Sequence, residues 1–213
     1  IVLHGNGDNF CAGIDTSIFD PNFPRKFADS MKPQPGSHAN LFQRAACVWR
    51  EIPVPVICAI KGVAFGGGFQ IALGADMRYS TPEAKFSVME VKWGLIPDMG
   101  ISTTARHIIA PDRLKELAFS GRIFNGEDAL SMGVVTSLHP DPYAAAMLTA
   151  TEIAGRSPDA IRGMKRLFNS GFDLDDAAAL ALEARIQSGL MGRPNQVEAV
   201  AANLEKRPPE FDD

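Results

Sequence analysis

The sequence has few cysteines, and they form no pattern typical of disulfide or metal sites. Cys11, Cys47 and Cys58 form no CxxC pair, and three cysteines cannot all be paired in disulfides within one chain. This favours a reducing compartment over a disulfide framework. The four histidines stand apart from one another and from cysteine. We therefore expect a cytoplasmic protein without a metal site.

Long apolar runs and clusters of basic residues are also missing. No apolar stretch reaches the roughly 18 residues that a bilayer-spanning helix needs, so we expect no membrane span. The net charge is −4 and the basic residues are scattered, which argues against nucleic acid as a partner. The 46% hydrophobic and 22% charged residues are typical of a globular protein. A small-molecule partner is the favoured expectation.

The order of apolar runs and glycines predicts an α/β fold. IVLH (1–4) and VICAI (56–60) are typical of buried strands, and a glycine-rich loop leads from the second into the helical pattern of FQIALGAD (69–76). MRYST and AKFSVMEV predict two further strands. Strand, glycine loop, helix and strand in succession favour a sheet with helical crossovers.

We expect an α/β core over residues 1–140 and a helical region over residues 141–213. The Pro-rich residues 20–40 predict a long loop. Because the chain starts with Ile1 and its first residues already have the pattern of a strand, we also expect that an N-terminal piece of the domain is absent.

The glycine triplet in VAFGGGFQIALGAD is the first candidate site. Its spacing matches neither the GxGxxG of a dinucleotide site nor the GK[ST] ending of a P-loop. Glycine N–H groups at the start of a helix could instead bind a developing oxyanion. A tight strand-to-helix turn explains the same residues.

Two further stretches could contribute to the same chemistry. In NFCAGID, the small residues Ala12 and Gly13 would let a second N–H approach a ligand, although a plain loop explains them as well. In MEVKWGLIPDMG, Glu90 and Asp98 lie among apolar residues, where desolvation raises carboxyl pKa values and makes proton transfer possible near neutral pH. An edge-exposed Glu90 and a turn-forming Asp98 are the alternative.

Taken together and in this order, these stretches resemble the crotonase superfamily, the enoyl-CoA hydratases and isomerases. FCAGID resembles its first oxyanion segment, AIKGVAFGGGFQIALGADMRYST its strand, glycine loop and helix, and WGLIPDMG its active-site turn. AFSGRIFNGEDALSMGVV and NLEKRPPEF resemble its later segments. The resemblance implies a crotonase-like ββα spiral with a C-terminal helical trimerisation region, lacking the β-rich N-terminal part of the domain.

The resemblance also implies roles for individual residues. The N–H groups of Ala12 and Gly67 would bind the thioester oxygen of an acyl-CoA and stabilise its enolate. Coenzyme A would be part of the substrate, with no separate cofactor, and residues 20–40 would border the acyl pocket. The residues that would lie along the CoA channel are Ile14 and Asp15. The other implied substrate-binding residues are Gly13, Phe65, Gly66, Gly68, Gln70 and Pro97.

The acid–base residues distinguish the possible reactions. Hydratases of this family use two glutamates, and the first of these positions here is Gln70, an amide that cannot act as a general base. The pair Glu90 and Asp98 resembles that of dienoyl-CoA isomerases, although those enzymes have aspartate at the position of Gln70. We therefore expect an isomerase of fatty-acid metabolism. The alternatives are a hydratase, a hydroxyacyl-CoA hydrolase, a single-carboxylate isomerase and a non-catalytic acyl-CoA-binding homologue. The resemblance also implies assembly as a trimer or hexamer.

Overall fold

The computed structural model describes residues 1–19 and 30–212, and the chain divides into two compact units. The first unit contains Val2–Glu51 and Val56–Ala146, and the second contains Ile1, Ile52–Pro55 and Met147–Asp213. The predicted division at residue 140 stays a prediction. Of the predicted loop at 20–40, residues 20–29 lie outside the described residues, and the remainder contains turns and an isolated bridge between Pro33 and Asn40.

Two sheets form the first unit. The larger has the order β1-β2-β4-β7 with parallel neighbours, and the smaller has the order β3-β5-β6. In the smaller sheet β3 and β5 are parallel, and β5 and β6 are antiparallel. The strands are β1 (Val2–His4), β2 (Ile57–Ile60), β3 (Val63–Phe65), β4 (Met77–Ser80), β5 (Lys85–Ser87), β6 (Phe124–Asn125) and β7 (Ser137–Leu138).

Helices follow the strands along the chain. They are α1 (Leu41–Glu51), α2 (Gly67–Leu73), α3 (Ile101–Thr104), α4 (Pro111–Ser120), α5 (Gly126–Ser131), α6 (Pro142–Ala154), α7 (Pro158–Gly171), α8 (Asp176–Leu190) and α9 (Pro194–Glu205), with 3₁₀ turns at Thr16–Phe19 and Glu90–Trp93. Helix α4 has ends of a common type. Pro111 begins it, and Gly121 ends it with a left-handed φ of 60°.

The structure corrects the predicted elements around the glycine triplet. The segment predicted as a loop contains β3, because Val63–Phe65 pairs in register with Lys85–Ser87. Helix α2 begins at Gly67, before the predicted residue 69, since Gly66 ends the strand with a φ of 52°. The predicted strand end at Glu90 is wrong: β5 stops at Ser87, and Glu90 begins a 3₁₀ turn.

The core of the first unit fixes helix α2. All residues of β2 are buried, as expected for a strand covered on both faces. The Phe69 ring of α2 packs edge-on against Phe86 of β5 and Phe124 of β6, with centroid distances of 6.4 and 6.0 Å. Phe69 is completely buried and its neighbour Gln70 is buried as well, so this part of α2 belongs to the core.

The second unit is built from helices. Helices α7 and α8 pack together, and the Lys165 ammonium of α7 donates to the Val54 carbonyl oxygen at 2.8 Å. The Asp175 carboxylate caps the start of α8 by accepting from Ala178 N–H. Among the described residues, no helix combines the length and apolar character needed to cross a bilayer. The trimerisation role expected for this region stays a prediction.

Candidate functional site

Backbone pairing brings the segment around Cys11 to the glycine loop. Cys11 N–H donates to the Val63 carbonyl oxygen, and Phe65 N–H donates to the Cys11 carbonyl oxygen, each at 3.0 Å. Cys11 thereby extends the smaller sheet beside β3. As a result, the position that a Cβ atom would take on Gly13 lies 3.7 Å from the Gly67 nitrogen. Two stretches more than fifty residues apart in sequence therefore meet at one place.

The predicted oxyanion donors differ from their neighbours in hydrogen bonding. Gly66 N–H donates to the Ser87 carbonyl oxygen at 3.0 Å. Within the described residues no acceptor is assigned to the N–H of Ala12 or of Gly67. Gly67 is the first residue of α2, where an N–H has no partner inside the helix. Ala12 is exposed and Gly67 is half-buried, and their role as oxyanion donors stays a prediction.

Each position of the triplet favours glycine for a different structural reason. Gly66 has a left-handed φ of 52°. A Cβ on Gly67 would lie 2.9 Å from the Met99 sulfur. A Cβ on Gly68 would contact the Cys11 carbonyl oxygen and lie 2.7 Å from the Cys11 Cβ. The triplet therefore allows close packing of α2 against its surroundings.

Gln70 lies between Glu90 and the turn that follows it. Its side chain is only 1% exposed. The Gln70 Nε2 group donates to Glu90 Oε1 at 2.6 Å, and Gln70 Oε1 accepts from Met99 N–H at 2.8 Å. The structure thus joins Gln70 and Glu90, which the sequence analysis considered separately.

Glu90 has the properties of a group that can transfer protons. Burial raises its carboxyl pKa, and the nearby Asp98 raises it further, while hydrogen bonds from its own backbone and from Gln70 act in the opposite direction. Glu90 Oε1 lies 3.4 Å from the position of a Cβ on Gly66. Glu90 Oε2 is buried and has no hydrogen-bond partner among the described residues. An unpaired buried oxygen is costly, and it is an acceptor that a reacting proton could use.

The other predicted site residues differ in burial and in their connection to Glu90. Asp98 and Pro97 are half-buried in the turn before Met99, and Asp98 affects Glu90 through its charge. Ile14 and Asp15 are exposed. Asp15 Oδ1 accepts from Ser17 N–H at 2.9 Å, a bond that lowers the Asp15 pKa. Their predicted place along a CoA channel stays a prediction.

Sequence reasoning missed three residues near the site. Met99 contributes its N–H to Gln70 and its sulfur to the packing at Gly67. Phe19 stacks on Trp93 of the 3₁₀ turn that Glu90 begins, with centroids 5.3 Å apart. No sequence pattern pointed to Met99 or to the aromatic pair. Among the described residues, no group of three or more His, Cys, Asp or Glu side chains could hold a metal ion.

The sequence profile of the enoyl-CoA hydratase/isomerase family matches residues 1–213. The chain belongs to this family. Over 167 residues it is 32% identical to the mitochondrial methylglutaconyl-CoA hydratase of Mus musculus, covering 76% of this chain and 53% of that protein. It is 29% identical over 208 residues to the Homo sapiens protein of the same name, covering 95% of this chain and 59% of that protein. The chain thus spans little more than half the length of these family members.

Solved structures confirm the fold. The crystal structure of an enoyl-CoA hydratase from Bacillus anthracis superposes with a TM-score of 0.88 at 27% identity, covering 99% of this chain and 80% of that one. The crotonase-like α/β fold expected from the sequence is therefore confirmed for this enoyl-CoA hydratase/isomerase family member. The relatives named above are hydratases, so their names do not reflect the resemblance to dienoyl-CoA isomerases.

Proposed function

We propose that this chain belongs to an acyl-CoA enzyme of fatty-acid metabolism that shifts a carbon–carbon double bond by proton transfer. The observation that carries the proposal is Glu90, a carboxylate whose pKa is raised by burial and whose Oε2 has no hydrogen-bond partner among the described residues. It lies beside the glycine loop that bears Gly67. A proton acceptor next to available N–H donors is what enolate chemistry requires.

The proposed reaction conserves the atoms of the substrate. The Glu90 carboxylate takes a proton from the carbon between the thioester carbonyl and a β,γ double bond. The electron pair of that C–H bond delocalises onto the thioester oxygen, where the N–H groups of Ala12 and Gly67 stabilise the negative charge. Protonation of the γ carbon then leaves the double bond conjugated with the thioester. Glu90 returns the proton directly, or Asp98 supplies a proton to the other carbon and afterwards recovers one as Glu90 releases its own.

Gln70 is the reason that we favour isomerisation over hydration. An amide cannot take a proton from water at neutral pH, and both ends of this amide are already hydrogen-bonded, to Glu90 and to Met99 N–H. Activation of water by a second glutamate therefore has no group to perform it at this position. A single carboxylate is sufficient to remove a proton and return it.

Hydration is the second candidate, because the relatives compared above have the names of hydratases. In this reaction Glu90 alone would take a proton from water as the oxygen attacks the β carbon, and would deliver a proton to the α carbon. The product would contain one additional water molecule, whereas isomerisation leaves the mass unchanged.

The test is a panel of β,γ-enoyl-, α,β-enoyl-, dienoyl- and hydroxyacyl-CoAs incubated with the purified full-length protein. Products are separated by chromatography and their molecular masses are measured by mass spectrometry. Free thiol is measured with a colorimetric reagent. We expect a product of unchanged mass from the β,γ-enoyl-CoA. A water adduct from the α,β-enoyl-CoA together with an unchanged β,γ-enoyl-CoA would favour hydration, and release of free CoA would favour hydrolysis. Binding without any product would identify a non-catalytic acyl-CoA-binding homologue.

We also propose that the chain self-associates, as a trimer or a hexamer. Support comes from the apolar side chains that the second unit leaves at its surface, including Phe168, Phe172 and Leu180, which are 55%, 67% and 62% exposed. Light scattering coupled to size exclusion measures the mass directly. A monomer at micromolar concentration would contradict this proposal without affecting the proposed reaction.

A further inference from the structure

We propose that Gln70 is a positioning residue whose amide holds Glu90 Oε1 and the Met99 backbone in one hydrogen-bonded chain, leaving Oε2 as the oxygen that exchanges protons. The proposal rests on the proposed function of Glu90 as the acid–base group. Gln70 then has a positive role in this chain, beyond being a position where a second carboxylate is missing.

The orientation of the Gln70 amide is determined by its partners. The backbone N–H of Met99 can only donate, so the amide oxygen must face it, and the NH₂ group must face Glu90. Both bonds are short, at 2.8 and 2.6 Å. Because the side chain is 1% exposed, water does not compete for either of them.

An amide satisfies both partners at once while Glu90 stays ionised. An ionised glutamate at position 70 could accept from Met99 N–H but could not donate to Glu90. It would also place two carboxylates in direct contact, and these would share a proton. A methionine of similar length would offer neither a comparable donor nor a comparable acceptor. The amide is therefore the side chain that can join α2, the 3₁₀ turn and the turn at Met99.

The amide affects the two oxygens of Glu90 differently. Oε1 is held by Gln70, and protonation there would remove the acceptor from a buried N–H donor. Oε2 is buried and has no partner among the described residues. Oε2 can therefore take up a proton without loss of a hydrogen bond, while the bond at Oε1 favours the ionised form of the carboxyl.

The charged groups near Glu90 do not obscure the effect of the Gln70 hydrogen bond on the Glu90 pKa. Asp98 is the charged side chain that acts on Glu90, and it disfavours ionisation. Helix α2, which carries Gln70, contains no charged residue. Lys92 shares the 3₁₀ turn with Glu90. The charged residues of α4, which packs against that turn, are Asp112, Arg113, Lys115 and Glu116.

The experiment titrates Glu90 directly in the full-length protein. Glutamate labelled with ¹³C at the side-chain carboxyl gives one NMR signal per residue, and the Glu90 signal is the one that Glu90→Gln removes. Its pKa is compared in the wild type, Gln70→Met and Gln70→Glu. Asn195→Leu is the matched control, because it removes another buried amide, one that binds Asp159 and Asp212 far along the chain.

We expect Gln70→Met to raise the Glu90 pKa by about one unit, through loss of a hydrogen bond to the charged form. Gln70→Glu should raise it more and give a two-step titration shared by the pair. Asn195→Leu should lower the melting temperature and leave the Glu90 titration unchanged. A Glu90 pKa in Gln70→Met within a few tenths of a unit of the wild type (about 0.3) would overturn the proposal.

If Gln70→Met does not fold, Gln70→Glu still decides, because it keeps the acceptor for Met99 N–H. A one-step Glu90 titration that matches the wild type would then overturn the proposal. The titration needs no substrate, so it remains valid even if no acyl-CoA is turned over and the proposed function fails. If turnover is found, the limb of the pH profile below neutrality should move with the titration, and kcat should fall while KM stays within about twofold.

Discussion

The adjacent glycines Gly67 and Gly68 should differ in how much stability the same substitution costs. Replacing a helical glycine with alanine stabilises a helix by up to about 1 kcal/mol, because alanine has less backbone freedom to lose. Both residues lie in the first turn of α2. The difference between the two variants therefore reports what each added methyl group contacts.

At Gly68 the methyl group has no space. It would contact the Cys11 carbonyl oxygen and lie 2.7 Å from Cys11 Cβ and 2.9 Å from Cys11 Sγ. Cys11 cannot easily move, since its N–H and its carbonyl are both bonded to β3. Overpacking costs about 1–3 kcal/mol, and a weakened bridge bond costs about 1 kcal/mol more. After the helix gain, we expect Gly68→Ala to lose about 2 kcal/mol.

At Gly67 the methyl group meets only the end of a flexible side chain. The nearest atoms are the Met99 sulfur at 2.9 Å and its Cε at 3.8 Å, and methionine adopts other rotamers at low cost. We therefore expect Gly67→Ala to change stability by no more than about 1 kcal/mol. Urea denaturation measures both variants, and a loss of 2 kcal/mol lowers the midpoint by about 1 M. Equal midpoints for the two variants would refute this account of the triplet.

Three other substitutions test separate parts of the structure. The raised pKa of Glu90 means that the folded state binds its proton more tightly than the unfolded state. Its contribution to stability is therefore present below the unfolded pKa of 4.5 and is lost as pH rises through the raised value. In thermal melts, Glu90→Gln should be more stable than the wild type at pH 8, and the difference should close near pH 4. Arg78→Met should lose about 3 kcal/mol in urea denaturation, since the buried guanidinium donates to the carbonyls of Val134 and Ala75, each at 2.6 Å. Gly121→Ala should lose about 1–2 kcal/mol by the same measurement, because its φ is +60° and its methyl group would lie 2.9 Å from Val91 Cγ1.

Each of these expectations has a contrary result. A wild type as stable as Glu90→Gln at pH 8 would mean that burial of Glu90 does not disfavour its charge. Arg78→Lys serves as the control for Arg78→Met, since an ammonium keeps the charge but reaches fewer carbonyls, and it should have intermediate stability. A melting temperature for Gly121→Ala equal to that of the wild type would show that the end of α4 adapts without strain.

Local sequence patterns predicted some elements well and others poorly. The run VICAI predicted β2 because a fully apolar run is typical of a strand buried on both faces. Strand β3 was missed, because three residues in a glycine-rich segment become a strand only through pairing with Lys85–Ser87 and with Cys11. The predicted strand at Glu90 failed for the same reason, since the partner of β5 ends opposite Ser87.

The candidate site could be predicted by residue type but not by its contacts. The apolar neighbours of Glu90 predicted a raised pKa, and the structure agrees. The bond from Gln70 to Glu90 joins residues twenty positions apart on different elements, and no local pattern specifies it. The Met99 contribution is a backbone N–H, which nearly every residue has, so its sequence carried no signal for that role.

The most direct test of the account is deuterium uptake from D₂O into a β,γ-enoyl-CoA by the full-length protein, with the wild type and Glu90→Gln compared by mass spectrometry. If Glu90 exchanges protons with the carbon chain, the wild type will give the conjugated isomer, with deuterium at carbon to the extent that the Glu90 proton exchanges with D₂O before it is returned. Glu90→Gln will remain folded, bind the same acyl-CoA and lose at least about a hundredfold in rate. Equal rates of uptake and isomerisation in the two proteins would contradict the central claim.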